Sequence, residues 1–185
     1  MNWRLILIGV ILLGVELGEG SANNWLTLAA ESGHGQTPAV AAVFFTVFAC
    51  VEAATRIFGG PLVDRIGRVA AIRITTFLGI AGLALFISGT SVWLTIGGTV
   101  LWAVGVSMGF PLGMSAAAEG GKNTAARLSV VASIGYSASI AGPPIIGVLA
   151  ESFGLLGAFW LIVMLLTAAF CAARSVAPSA RKAQK

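Results

Sequence analysis

Long apolar runs separated by short polar turns account for almost the whole chain. Six such runs can be drawn, at residues 4–29, 38–58, 69–88, 92–115, 126–149 and 154–174. Each is about long enough to cross a ~30 Å hydrocarbon layer as a helix. Helices satisfy every backbone group from within, which lipid demands of any span that is not part of a closed barrel. The breaks between runs hold turn residues: Glu31–Pro38, Pro61–Arg68, Ser88–Ser91, Glu119–Thr124 and Glu151–Gly154. The pattern predicts an all-α polytopic membrane protein of six transmembrane helices over residues 1–174, followed by a basic polar tail at 175–185.

Composition agrees with that pattern. The chain is 57% hydrophobic and 10% charged, with a mean hydropathy of +0.95, whereas soluble domains carry about 25% charged residues. The lipid bilayer is therefore the first expected partner. Arg4 followed by the run Leu5–Val15 has the outline of a signal peptide, but Glu16 and Glu19 follow at once and no small-x-small cleavage site is evident, so the segment reads as a retained helix.

Basic residues give the orientation. If exposed segments alternate between two sides, one side collects Arg4, Arg65, Arg68, Arg73, Lys122, Arg127, Arg174, Arg181, Lys182 and Lys185, ten of the eleven, and the other collects none. Positive-inside bias then places both termini in the cytoplasm. The same residues form no patch, so nucleic acid is not an expected partner despite a pI near 9.7.

The turn after the second run reads Arg56-Ile57-Phe58-Gly59-Gly60-Pro61-Leu62-Val63-Asp64-Arg65-Ile66-Gly67-Arg68. Glycines permit positive φ and close backbone approach. Asp64 suits a helix start, where the dipole favours an anion. Arg65 and Arg68 suit an anionic inner leaflet. The spacing of Gly60, Asp64, Arg65, Gly67 and Arg68 resembles the cytoplasmic loop signature of the major facilitator superfamily. Tyr136–Glu151, with Gly142, Pro143, Pro144 and Gly147, resembles that family's eleventh helix. Glu19–Trp25 is similar to the seventh helix of a bacterial inner-membrane branch related to fucose-permease-type proteins. The resemblance covers about the whole chain and maps to the C-terminal half of a twelve-helix fold.

The resemblance implies secondary active transport of a small solute across a bacterial inner membrane. It also implies a second six-helix half, or a homodimer in which Asp64 meets residues 125–129 of the other copy. A different class remains open beside it: a non-transporting membrane remnant or interaction subunit. A six-helix channel is a third reading, without a filter-like loop to carry it.

Polar residues inside the runs are the remaining signal, since an ionisable side chain in a span is expensive. Glu16, Glu19 and Asn23 fall at i, i+3 and i+7, on one helical face. They either line a polar cavity, where a glutamate could carry a coupling proton, or act as packing glue. Glu52 and Arg56 at i and i+4 are expected to form an intramembrane ion pair, either structural or part of a proton relay. Gly105, Gly109 and Gly113 form a small-residue stripe. Pro111 and Gly142-Pro143-Pro144 are candidates for helix bends or gates, with tight packing as the alternative.

Cys50 and Cys171 are expected as packed hydrophobes and His34 as a solvated loop residue. Trp25 and Trp93 suit an interfacial belt, whereas Trp102 could face lipid or cavity. No enzyme constellation, metal-ligand cluster or nucleotide loop is present, so neither catalysis nor a cofactor is expected.

Overall fold

A computed structural model describes residues 3–119 and 123–178. Lys122, Arg181, Lys182, Lys185 and most of the expected tail, 179–185, lie outside the described residues. The helices are α1 (Trp3–Leu28), α2 (Pro38–Ile66), α3 (Arg68–Ser88), α4 (Val92–Ser107), α5 (Gly109–Ala118), α6 (Thr124–Ala158) and α7 (Trp160–Ala172). A π-helical turn, Ala29–Gly33, ends α1, and a 3₁₀ turn, Ala173–Val176, follows α7.

Among the described residues, five helical stretches are long and apolar enough to cross a membrane: Trp3–Gly33, Pro38–Ile66, Arg68–Ser88, Val92–Ala118 and Thr124–Ala158. Trp160–Val176 is a shorter apolar stretch. Gly154, at φ +70°, interrupts α6, and residues 155–158 lead from this kink into α7. The fold is an all-α polytopic membrane fold.

Polar caps and glycines set the helix ends. Thr37 Oγ1 accepts the Val40 N–H at 3.4 Å ahead of α2, and Ser91 Oγ accepts that of Leu94 at 3.4 Å ahead of α4. Between α2 and α3 the turn is far tighter than the sequence suggests. Gly59, Gly60, Pro61, Asp64 and Arg65 are all helical, and only Gly67, at φ +82°, leaves the helix. The loop reading of Gly60, Asp64 and Arg65 is thereby corrected. Asp64 sits in the last turn of α2, not at the start of a helix of this chain. Pro61 lies five residues before the end of α2 and costs that helix one backbone hydrogen bond.

Helix α1 is central and packs against α2, α4, α5, α6 and α7; α3 packs chiefly on α4 and α7. Apolar side chains gain little by leaving lipid for another apolar surface, so shape and close approach hold such a bundle together. A Cβ on Gly105 would collide with the Gly79 backbone, and one on Gly98 would lie 2.6 Å from Phe86 N. The glycine stripe divides its work. Gly105 serves α3, whereas Gly109 and Gly113 accommodate Val15 and Leu12 of α1.

Phe44, Phe48, Phe86, Trp102 and Phe159 form a buried aromatic cluster with ring centroids 5.5–6.3 Å apart. Trp102 is fully buried and faces neither lipid nor a cavity. His34 is not a freely solvated loop residue: its ring sits edge-on to Phe86 at 4.9 Å, and Nε2 is buried. Burial lowers its pKa below the usual histidine value, partly offset by a hydrogen bond with the Phe86 backbone. Cys50 and Cys171 are exposed on the outside of the bundle, not packed within it.

The start of α1 meets the segment that follows α7. Arg4 donates from Nε to Ser175 O at 2.8 Å and from Nη2 to Ala177 O at 2.7 Å. The α2–α3 turn and the end of α5 lie at this same end of the bundle, joined by an Arg68–Glu119 ion pair at 2.7 Å. The turns at 29–37, 88–92 and 154 occupy the opposite end, where His34 meets Phe86 and Gly33 packs near Leu156.

Candidate functional site

The polar residues of α1 and α2 converge on one guanidinium. Glu19 and Glu52 both reach Arg56 Nη2, at 2.5 and 2.7 Å. The expected Glu52–Arg56 contact is therefore two-thirds of an inter-helix triad. Glu52 and Arg56 come together because residues four apart share a helix face. Glu19 joins them because α1 and α2 pack side by side. The Glu52 side chain is 11% exposed, that of Glu19 19% and that of Arg56 42%, so the group opens to one side through the arginine. Glu16 is buried one turn before Glu19, and Gly135 of α6 leaves it room, since a Cβ there would sit 3.4 Å from Glu16 Cγ.

Arg56 also holds a piece of backbone. A proline inside a helix cannot donate to the carbonyl four residues earlier and pushes it away. For Pro111 that carbonyl belongs to Ser107, and Arg56 Nε donates to it at 3.2 Å. The chain breaks between α4 and α5 at Met108 (φ −100°, ψ −8°), and helical bonding resumes with Leu112 N to Met108 O at 3.2 Å. The bend is thus made by Pro111 and capped by the side chain that carries the ion cluster.

Two clefts on one face share Arg56 and Pro111. The first, about 340 Å³, is lined by Glu16, Glu19, Arg56, Phe110, Pro111 and Tyr136. The second, about 440 Å³, runs on past Gly60, Val63, Asp64 and Ser115 to Arg68. Phe110 and Tyr136 lie with ring centroids 5.8 Å apart over the first cleft. Together the clefts form a groove that is acidic at one end and carries Asp64 and Arg68 at the other. A solute with hydrogen-bonding groups could be held there by charge and by aromatic contact.

The remaining expected residues fall around this groove or apart from it. Asn23 is exposed and does not line it. Arg65 and Gly67 are exposed near the α2–α3 turn. Gly142 packs on Leu17, at 3.1 Å from where its Cβ would stand, and lines a separate apolar cleft. Pro143 O accepts from Trp25 Nε1 at 3.1 Å, which ties α6 to α1. Pro144 lies beside it within α6. Tyr136, Phe110, Glu119 and the Ser107 carbonyl were missed as contributors. Tyr136 had one signal, being the chain's only tyrosine. Among the described residues no group of three or more His, Cys, Asp or Glu side chains is arranged to hold a metal ion.

Residues 4–185 match the family model described as Major Facilitator Superfamily. Among curated proteins, the chain is 32% identical over 172 residues to the uncharacterized transporter y4wD of Sinorhizobium fredii, covering 89% of this chain and 46% of that protein. It is 30% identical over 176 residues to an uncharacterized MFS-type transporter of Yersinia pestis, covering 93% and 45%. It is 29% identical over 174 residues to the membrane protein MosC of Rhizobium meliloti, covering 92% and 42%. The chain thus spans a little under half the length of these relatives. A crystal structure of peptide transporter POT in complex with alafosfalin superposes with a TM-score of 0.79 at 16% identity, over 91% of this chain and 37% of that one; this likeness concerns the fold alone. Fold, sequence match and relatives agree, and this multi-pass membrane chain belongs to the Major Facilitator Superfamily.

Proposed function

We propose that this chain is a C-terminal six-helix half, equivalent to helices seven to twelve, of a fucose-permease-like facilitator transporter. It moves a small solute by secondary active transport across a bacterial inner membrane, with both termini in the cytoplasm. A second six-helix half, or a second copy of the chain, faces the groove and closes it into a central cavity.

The observation that carries this reading is the gathering of Glu16, Glu19, Glu52 and Arg56 on an uncovered face beside a proline-made bend. A lipid-facing surface would not keep such a group, because charge in hydrocarbon is costly. A surface that meets another half around water and solute would. Two carboxylates on one guanidinium, with a third beside Glu19 in the same cleft, give the acidic excess that a proton-coupled step would draw on. The meeting of Arg4 with residues 175 and 177 supports an even number of crossings.

The test is reconstitution of the full chain in liposomes, with a panel of small solutes and an imposed proton gradient. Gradient-driven uptake that is lost in Glu19→Gln supports the coupled transporter. Uptake with identical pH dependence in wild type and Glu19→Gln removes Glu19 from coupling. No uptake of any solute, by the chain alone or together with a matching six-helix half, favours the non-transporting reading.

A further inference from the structure

We propose that the cleft where the start of α1 meets the segment after α7 binds the headgroup phosphate of an anionic phospholipid. The cleft has a volume of about 420 Å³ and includes Trp3, Arg4, Leu7, Arg174 and Ser175 in its walls. It lies at the end of the bundle that carries the basic residues, apart from the polar groove. The inference needs only that the chain sits in a membrane and does not depend on transport.

The charge balance of the molecule points to an outside ligand. Among the described residues no acidic side chain forms an ion pair with Arg4 or Arg174. Of the chain's seven acidic residues, three gather at Arg56 and Glu119 pairs with Arg68. Asp64 lies in the last turn of α2, and Glu31 and Glu151 lie at the opposite end of the bundle. Arg4 uses Nε and Nη2 to hold the carbonyls of Ser175 and Ala177. Those bonds fix the guanidinium without neutralising it and leave Nη1 with donors to give. Ser175, which lines the same cleft, is 8% exposed, and its Oγ is buried with no hydrogen-bond partner. That hydroxyl is sealed from the cleft, so the headgroup's contacts fall to the two guanidiniums.

The surroundings suit a lipid more than a free ion. Trp3 is 70% exposed at the start of α1, and tryptophan is enriched at the headgroup level of membranes. Leu7, a turn further along α1, offers an apolar wall where the acyl chains begin. Two guanidiniums without an acid favour a headgroup of net negative charge over a zwitterion. Each basic residue near a membrane surface contributes ~1 kcal/mol of attraction, about fivefold in affinity.

Native mass spectrometry of the full chain in detergent, with equimolar phosphatidylglycerol and phosphatidylcholine, tests this. Wild type should retain phosphatidylglycerol preferentially, and Arg174→Gln should lower that retention about fivefold without changing phosphatidylcholine. Arg4→Gln removes the staple between α1 and the segment after α7, so Arg4→Lys serves as its folded control and should keep most of the preference. Replacing Arg181, Lys182 and Lys185 together by Gln should leave it in place. Equal retention of the two lipids by wild type overturns the proposal. So does a preference that follows the three tail residues and not Arg174. Displacement of phosphatidylglycerol by millimolar inorganic phosphate would assign the site to free phosphate and overturn the lipid assignment.

Discussion

Removing the Arg56 guanidinium should be among the most damaging single changes at the groove, and its size can be worked from three contacts. One is a charge-assisted hydrogen bond to Glu19 at 2.5 Å, one an ion pair with Glu52 at 2.7 Å whose Oε1 makes no hydrogen bond, and one a hydrogen bond to the Ser107 carbonyl at 3.2 Å. Buried charge-assisted bonds contribute ~1.5–3 kcal/mol each. The Arg56 side chain is 42% exposed, which moves each carboxylate contact toward the exposed-pair value, to ~1 kcal/mol. The carbonyl bond adds ~1 kcal/mol. Arg56→Gln should therefore destabilise the full chain by ~3 kcal/mol. Arg56→Lys should lose about half of that, because a point charge cannot serve two carboxylates and a carbonyl as a fork does. Unfolding free energies in bicelles would measure both. Double-mutant cycles of Arg56→Gln with Glu19→Gln and with Glu52→Gln should each show ~1 kcal/mol of coupling. In a Pro111→Ala background Ser107 regains its helical donor, so Arg56→Gln should be less harmful by ~0.5–1 kcal/mol. The reasoning fails if Arg56→Gln is as stable as wild type. It also fails if Lys and Gln behave alike or if the cycles show no coupling.

Other expectations concern packing, the tight turn and the opposite end of the bundle. Gly105→Val drives a side chain into the Gly79 backbone and should cost ~3 kcal/mol or more, read as loss of folded protein in size-exclusion profiles. Gly67→Ala, at φ +82°, should cost ~1–2 kcal/mol in the same unfolding assay, although no neighbouring atom blocks its Cβ. His34 has a folded pKa below its unfolded value because of burial. The native state therefore favours the neutral ring, and the associated stability is full above the unfolded value of about 6.5. It is lost as pH falls through the lower folded value. Thermal unfolding between pH 7 and pH 5 should show this slope, and His34→Gln should flatten it.

Much of the fold was legible because lipid imposes simple rules on a chain. Apolar run length led to the helical order. The helix boundaries were less legible where local rules compete. At 59–66 glycine, proline and charge all suggested a turn, yet only Gly67 left the helix. Burial of His34 was hidden because its partner, Phe86, lies 52 positions away on another helix. The groove was half visible. Glu16 and Glu19 stand out in an apolar run, and the Glu52–Arg56 spacing announces a contact within one helix. That Glu19 would reach the same arginine depends on how α1 and α2 pack, which no local spacing encodes.

Pro111 shows how these levels meet. As a residue it signals only that a helix bends. In the bundle it frees one carbonyl, and the nearest strong donor is the arginine already holding two carboxylates. The glycines around the bend then divide between neighbours, with Gly105 against α3 on one side and Gly109 and Gly113 against α1 on the other. A straight helix would present this stripe to one partner; the bend presents it to two. One hydrogen bond, Arg56 Nε to Ser107 O, thus joins the Glu19–Glu52–Arg56 group to the bend between α4 and α5.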